Sequence, residues 1–372
     1  FAASALTYLS YAESALDRVD PSAFENEQHE IITQAQVQIP LIAQTLREFI
    51  SLGDFLAQGL GNNETKRYLI VFQNNTELRP TGGFMGSFAE VKIRQGEIVD
   101  MTIPGGGTYD LQGSLKTYLK APEPLRLLTA KWEFQDANWF PDFPTSARQM
   151  IDFYTDSGGP SVDGVIAVNA TFVADLLTSL GSIDMPEYDR VIDAENFLFE
   201  AQKIVENEYD QTLNQPKAFI ADLAPKLLER LRSQRGEALI TVANRLMRGL
   251  FERDIQIYFT DETLQKVALT RGWAGQILQS PLDYLMLVNT NLGGGKTDGV
   301  IEENVKVDVD ISTDGTVTNT VTITRSHRGI PGGLFTGVNN VTYARLYAPE
   351  GSTLVHASGF SPPDRSLFET PN

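Results

Sequence analysis

The residues best suited to chemistry lie in a glycine-rich stretch that follows the first predicted strand. Arg79 stands near the end of that strand, shortly before Thr81, Gly82 and Gly83. An arginine can hold a phosphate or a carboxylate through two parallel hydrogen bonds, and glycines let a ligand approach the backbone closely. The stretch therefore predicts an anion site. The alternative is that Arg79 pairs with a buried acid further along the chain.

A second glycine-rich loop follows a later strand and begins with Ile103 and Pro104. Its three consecutive glycines, among them Gly105 and Gly106, expose backbone amides that could cradle an anion. Asp110 adds a polar side chain at the end of this loop. The other interpretation is a loop that only has to turn sharply.

A third stretch, residues 136–144, combines aromatic, proline and acidic residues. Such a loop is stiff, and loops of this kind often line binding sites. Trp139 could stack on a sugar ring, and Asn138 is a further polar candidate. Asp136 and Asp142 could accept a proton, bind a divalent metal through hard oxygen ligands, or pair with the arginine of the first stretch. The alternative is a loop packed over the edge of the sheet.

Composition and motif searches argue against several classes of function. The chain has 30 basic and 48 acidic residues and a net charge of -18, so non-specific binding to nucleic acid is not expected. It has no cysteine, which excludes thiolate chemistry, and its three histidines are too scattered for a metal cluster. The segment around Lys296 lacks the glycine spacing of a Walker loop, so we expect a turn with a salt-bridging lysine there.

Hydrophobic periodicity predicts three successive regions that position these loops. Residues 1–60 carry apolar side chains at helical spacing, interrupted at Pro21, and form an N-terminal helical segment. Residues 61–283 alternate short apolar runs with amphipathic stretches, which predicts an α/β core domain. Residues 284–372 contain short β runs and a hairpin turn at Gly315, which indicates a β-rich extension. This extension is either a separate small domain or a continuation of the main sheet.

Four segments together resemble a known bacterial family. Residues 73–86, 136–146 and 162–169 are similar to three signatures of the family called domain of unknown function 4012, and residues 291–298 are similar to a fourth. The family has no established activity, so this resemblance by itself implies no mechanism.

The chain is also similar, more remotely, to the LytR-CpsA-Psr ligases. These are membrane-anchored, extracytoplasmic phosphotransferases that attach polymers from polyprenyl-pyrophosphate lipids to the cell wall. The resemblance implies an α/β/α sandwich and places Arg79 at the ligases' first conserved arginine position. The chain departs from the ligases at Gly105 and Gly106, which replace an arginine and an aspartate. It departs again around Lys217, where the ligases carry several arginines.

We therefore expect an extracytoplasmic module of a bacterial cell surface, cut from a parent protein that is membrane-anchored outside this chain. Its expected partner is a cell-envelope glycan or a lipid-linked phosphate, not nucleic acid, bound by residues 79–110, residues 136–144 and Lys217. Two alternatives stay open. One is a divergent phosphotransferase, for which Mg²⁺ would be the cofactor. The other is a structural component of a surface assembly, so the sequence leaves open whether the chain is an enzyme.

Overall fold

The computed structural model describes residues 2–280 and 282–371 of the chain. Helices open the chain, helices and strands alternate through its middle, and strands predominate near its end. The helices are α1 (Ala2–Leu16), α2 (Asn26–Gly59), α3 (Phe143–Asp156), α4 (Ala170–Leu180), α5 (Phe197–Lys203), α6 (Ala218–Ser233), α7 (Gly236–Phe251) and α8 (Glu262–Thr270). The strands are β1 (Lys66–Asn74), β2 (Phe84–Arg94), β3 (Glu97–Thr102), β4 (Gly164–Asn169), β5 (Ile183–Met185), β6 (Arg190–Ile192), β7 (Ile255–Phe259), β8 (Met286–Asn291), β9 (Ile301–Ile311), β10 (Val317–His327) and β11 (Thr342–Tyr347).

The chain divides into two compact units. One comprises residues 1–66 and 92–99, and the other comprises residues 67–91 and 100–372. The residues that the sequence singled out for chemistry all lie in the second unit. The predicted boundaries after residues 60 and 283 follow the pattern of the sequence and stay predictions.

The first unit contains the predicted N-terminal helical segment, whose two helices form a hairpin. Asp20 accepts a hydrogen bond of 2.9 Å from the Ser22 amide at the predicted break between α1 and α2. Across the hairpin, Gln36 Nε2 donates bonds of 2.9 Å to the carbonyl oxygens of Leu16 and Val19. Helix α1 has no buried residue, so its contacts with α2 are shallow. Every helix within residues 2–280 and 282–371 is too short or too polar to cross a lipid bilayer.

A mixed five-stranded sheet forms the centre of the α/β fold, with strand order β3-β2-β1-β4-β7. Strands β1 and β4 run parallel, with Val71 opposite Ala167, whereas β4 and β7 run antiparallel, with Ala167 opposite Gln256. A parallel pair needs a crossover between its strands, and α3 lies in the connection between β1 and β4. The strands alternating with helices that the sequence predicts are confirmed.

Helices cover both faces of this sheet. On one face, Leu69 and Val165 share a buried cluster with Ala147 and Met150 of α3. Ala167 belongs to the same cluster and lies opposite Gln256 of β7. Because alternate side chains of a strand point to opposite faces, the preceding residue, Ile255, lies on the other face of the sheet.

On that second face, the backbone of α7 comes close to the sheet. A Cβ atom at Gly249 of α7 would lie 2.7 Å from Phe172 of α4 and 3.3 Å from Ile255. Only glycine permits this approach without a rearrangement. The α/β/α sandwich that the resemblance to the ligases implied is therefore present.

The last strands form small sheets of their own and do not extend the central one. Strand β9 pairs antiparallel with β10, and β8 pairs antiparallel with β11. The predicted hairpin turn is confirmed: Gly315 has a φ of 84°, and Asp314 accepts a bond of 3.0 Å from the Thr316 amide. Of the two alternatives for this β-rich extension, continuation of the main sheet is wrong.

Candidate functional site

The two glycine-rich loops meet at the start of β2. Thr108 Oγ1, which is fully buried, donates a hydrogen bond of 2.7 Å to the carbonyl oxygen of Met85. The Lys217 amide donates a bond of 2.8 Å to the carbonyl oxygen of Gly105. These two bonds bring the loop after β3 and the segment before α6 against the first residues of β2. Three segments that are distant in sequence thus surround one point.

Lys217 presents its amine at this point. A Cβ atom at Gly86 would lie 3.6 Å from Lys217 Nζ and 3.7 Å from the ring of Phe84. Burial, and then the neighbouring charge of Lys296, lower the pKa of Lys217 to about 8. Among the residues that the structure describes, none forms a hydrogen bond or an ion pair with Lys217 Nζ. The ring centroids of Phe84 and Tyr109 lie 6.2 Å apart. We call Lys217, Gly86, Phe84 and Tyr109 the Lys217 site.

Lys296 lies in the same cluster and is paired. Its Nζ contacts Glu77 and lies 3.4 Å from Glu206 Oε1. It also lies 5.8 Å from the ring centroid of Phe84. The expected salt-bridging lysine in this turn is confirmed.

Arg79 is buried and its terminal nitrogens are occupied by protein groups. Nη1 donates a hydrogen bond of 2.7 Å to the carbonyl oxygen of Asn291, and Nη2 lies 3.5 Å from Glu77 and 3.7 Å from Asp136. The guanidinium also lies 5.0 Å from the ring centroid of Phe84. Pairing with a buried acid, the alternative weighed from the sequence, is the arrangement that the structure contains.

Asp136 is the buried acid of this pair. Burial raises its pKa, and the charge of Arg79 acts in the opposite direction. The two side chains therefore hold each other in place beneath the Lys217 site, since either charge alone would be costly to bury.

Thr81, Gly83 and Asn138 belong to a buried polar network. Asn138 Nδ2 donates hydrogen bonds of 3.1 Å to Thr81 Oγ1 and 2.9 Å to the carbonyl oxygen of Gly83. Gln73 Nε2 also donates to Thr81 Oγ1, at 2.7 Å. Gly82 has a φ of 139°, and a Cβ atom there would lie 2.7 Å from Gln73 Oε1. These four predicted residues fix the loop after β1.

Gly105, Gly106 and Asp110 stabilise the second loop from within. Asp110 Oδ2 accepts a hydrogen bond of 2.9 Å from the Gly106 amide. A Cβ atom at Gly105 would lie 2.8 Å from Gln215 Cγ. An arginine and an aspartate at these two glycines, as in the ligases, would have to displace these neighbours.

Trp139 lies apart from the Lys217 site and stacks on protein. It is 8% exposed, and its ring lies 5.9 Å from that of Tyr343 with an interplanar angle of 12°. The Arg345 guanidinium lies 4.6 Å from its ring centroid. These two protein groups are its ring partners in the structure.

Asp142 begins α3 as its N-cap. Its Oδ2 accepts a hydrogen bond of 3.1 Å from the Thr145 amide, and its Oδ1 accepts one of 3.0 Å from Ile277. Asp110, Asp136 and Asp142 thus serve three different parts of the fold. Over residues 2–280 and 282–371, no group of three or more histidine, cysteine, aspartate or glutamate residues could hold a metal ion.

The fourth segment of the family resemblance contacts the first. Asp298 Oδ2 accepts hydrogen bonds of 2.9 Å from the Leu78 amide and 2.7 Å from Asn291 Nδ2. Its Oδ1 accepts one of 2.9 Å from Asn340 Nδ2 and lies 3.5 Å from Arg325. This acid joins the β-rich extension to the loop that carries Arg79.

Sequence reasoning selected some of these residues and missed others. Of the predicted set, the structure brings Gly105 and Lys217 together at the Lys217 site and Arg79 and Asp136 together beneath it. The residues not singled out from the sequence are Glu77, Phe84, Gly86 and Glu206, whereas Lys296 is expected there only as a salt-bridging lysine. All but Glu206 lie within or beside the glycine-rich stretches, whereas nothing in the sequence marks Glu206.

The comparisons with known proteins bear on the same segments. Residues 63–205 match the model of a family described as Protein of unknown function (DUF4012). The predicted resemblance to this family is confirmed. The matched residues include three of the four signature segments and the loops on both sides of Phe84. Among curated proteins, none matches the chain.

Three solved structures are distantly similar to the chain. Lin1025 from Listeria innocua is 12% identical, with 69% of this chain and 90% of that chain covered and a TM-score of 0.30. The protein gbs0355 from Streptococcus agalactiae is 14% identical, with coverages of 60% and 85% and a TM-score of 0.34. TagV from B. subtilis is 14% identical, with coverages of 60% and 87% and a TM-score of 0.32.

Proposed function

We propose that this chain is an extracytoplasmic cell-surface module that binds a phosphate-bearing envelope ligand, either a glycan or a lipid-linked phosphate. The observation that carries the proposal is the amine of Lys217, partly buried among three loops and without a protein partner in the described residues. A cation in such a position is stabilised when an anion joins it. The surface location rests on the resemblance to extracytoplasmic ligases.

The predicted residues take different parts in this proposal. Lys217 contacts the ligand, while Gly105 and Gly106 keep the neighbouring loop free of side chains. Arg79 and Asp136 support the site from below without touching the ligand, because each is already engaged by protein. Thr81, Gly82, Gly83 and Asn138 fix the loop after β1. Trp139 and Asp142 hold the segment that precedes and begins α3.

Binding without catalysis is the function that this geometry favours. A phosphotransferase needs a base or metal ligands beside the phosphate. The candidate acids Asp110, Asp136 and Asp142 accept hydrogen bonds or pair with an arginine within the protein, in three separate places. The buried pairing of Arg79 and the protein partners of Trp139 favour a structural role for these two residues, so the support for ligand binding comes from the Lys217 amine.

The proposal is tested by identifying what the chain retains from bacterial membrane extract. The wild type, Lys217→Met and Lys266→Met would be incubated with the extract, re-purified and analysed by mass spectrometry for phosphate-bearing lipids and glycans. Lys266 is exposed on α8 and provides a control with the same loss of charge.

We expect a retained phosphate-bearing compound in the wild type and in Lys266→Met, and its loss in Lys217→Met. Equal retention by all three proteins, or no retention by any, would contradict the proposal.

A further inference from the structure

The charges around the Lys217 site are nearly balanced before any ligand arrives. Lys296 contacts Glu77 and lies 3.4 Å from Glu206. Arg79 lies 3.5 Å from Glu77 and is also paired with the buried acid beneath it. Lys217 is therefore the cation of this cluster whose charge has no direct partner among the described residues.

The space beside the amine is bounded by apolar surface as well as by charge. The nearest atoms to a Cβ position at Gly86 lie 3.6 Å away or more, which leaves room for a methyl group. The ring of Phe84 borders this space, and Tyr109, which is 48% exposed, lies beside that ring. Aromatic faces of this kind favour carbon-bearing groups next to the charge.

We propose that the Lys217 site selects a phosphodiester, which carries one negative charge, over a pyrophosphate diester, which carries two. This inference rests on the proposed function and names its ligand class. One unpaired cation neutralises one charge. A second negative charge would lie near Glu77 and Glu206, which already share Lys296, and like charges at short range in a partly buried site repel strongly.

The ester groups give the selected ligand a second set of contacts. A phosphodiester has a carbon substituent on each side of the phosphate, and Phe84 and Tyr109 offer apolar surface beside Lys217. Free inorganic phosphate lacks these substituents. We therefore expect it to bind more weakly than a diester.

The test compares defined probes by calorimetric titration at pH 7. Glycerophosphoglycerol is the soluble phosphodiester, inorganic phosphate is the probe without ester groups, UDP-N-acetylglucosamine is the pyrophosphate diester, and uridine is the neutral control for its base. Vesicles of phosphatidylcholine that contain phosphatidylglycerol present the glycerophosphoglycerol diester on a lipid, and vesicles of phosphatidylcholine alone, whose phosphodiester is balanced by choline, are the reference. We expect the soluble diester to bind roughly tenfold more tightly than the pyrophosphate probe, and Lys217→Met to lose this binding. The vesicle arm distinguishes a lipid source from a soluble glycan source.

A charge variant tests the reason for the selectivity. Glu206→Gln removes one carboxylate from Lys296, so we expect the affinity for UDP-N-acetylglucosamine to rise by a factor of roughly three or more. Glu229→Gln, an exposed position on α6, removes the same charge elsewhere and should leave both affinities unchanged.

The outcomes distinguish a failure of the phosphodiester selectivity from a failure of the proposed function. Lys217-dependent binding of the pyrophosphate probe, as tight as the diester or tighter, would overturn the selectivity and leave phosphate binding intact. Failure of every probe and of inorganic phosphate to bind would overturn the proposed function and this inference together.

Discussion

Lys217 and Arg79 show how differently two cations of one site can be placed. Arg79 donates to Asn291 and faces Glu77 and Asp136, so its charge is used inside the protein. The Lys217 amine has no such partner among the described residues, and burial lowers its pKa to about 8. At the residue scale, the first cation therefore stabilises the fold, and the second is the cation that we propose binds the ligand.

Titration of Lys217 should make the free energy of unfolding depend on pH. Because the folded-state pKa is about 8 and the ordinary value is 10.5, the unfolded chain holds a proton between these values that the folded chain has released. Stability from this residue therefore rises with pH across that window. The free energy of unfolding is measured in urea for the wild type and for Lys217→Met. The value for the wild type minus the value for the variant should rise from about pH 8 to 10.5 and stay constant below and above this window. A difference that stays flat across the window contradicts the assignment.

Removal of Arg79 should cost stability through the acid that it leaves behind. In Arg79→Met, Asp136 stays buried without its cation, and we expect a loss of about 3 kcal/mol in the free energy of unfolding. The double variant Arg79→Met/Asp136→Asn should recover part of this loss. Urea denaturation measures all three proteins. A loss in the single variant below about 1 kcal/mol would argue against a buried pair and for an arginine free to bind ligand.

The loops form the next scale, where backbone geometry decides which residues are tolerated. Gly107 has a φ of 68°, and a Cβ atom at this position would collide with the carbonyl oxygen of Gly86. Gly86 itself has no positive φ and has space beside it. Two glycines in contact thus serve different purposes: Gly107 lets the loop close on β2, and Gly86 leaves room at the amine.

Alanine substitutions separate these two purposes. Gly107→Ala combines a left-handed backbone with a collision against a backbone oxygen, so it should lower the free energy of unfolding by about 1–2 kcal/mol or more. Gly86→Ala places its methyl group at ordinary van der Waals distance from Lys217 and Phe84 and should cost far less. Thermal and urea unfolding of both variants checks the contrast. Equal costs would show that the loop after β3 does not close on β2 in this way.

Asp298 links the β-rich extension to the loop after β1 at the same scale. Asp298→Ala leaves the Leu78 amide without its acceptor and removes one of the two acceptors of Asn340 Nδ2, so we expect a loss of roughly 2–3 kcal/mol in the free energy of unfolding. Hydrogen exchange should also become faster in β8 and β11. Asp308→Ala, an exposed acid on β9, serves as the control. Unchanged exchange in β8 and β11 would show that the extension is held by other contacts.

The whole molecule combines an acidic surface with two compact units of different burial. The net charge of -18 opposes the approach of any anion, so the proposed ligand needs a local cation such as Lys217 to compensate for that field at short range. Helix α1 buries no residue, whereas β4 is buried at most of its positions. Local opening should therefore differ strongly between the two units.

Hydrogen exchange followed along the whole chain tests this difference. Amides of α1 should exchange through local opening at a lower free energy than amides of β1 and β4, whose protection should approach that of global unfolding. The measurement is native-state exchange at increasing urea, read by mass spectrometry. Equal protection in α1 and β4 would contradict a cooperative core confined to the α/β unit.

The sequence alone determined the class of fold and most of its elements. Apolar runs at β1 and β4 and the amphipathic stretch of α3 were enough to predict alternating strands and helices, because local periodicity fixes which face of each element is buried. The stretches around Gly82 and Gly105 were also predicted as the loops of interest, since runs of glycine mark permissive backbone.

Only the tertiary structure decided what each charged side chain does there. Glu77 and Arg79 are neighbours in the chain, but Glu206, Lys217 and Lys296 are distant from them, and pairing depends on which of these residues fold to within a few ångströms of one another. Sequence spacing carries no such information, so it could not show that Arg79 is paired and that Lys217 is left without a partner in the described structure. The physical reason is that the energy of a charge depends on its neighbours and its burial, and both are set by the packed fold.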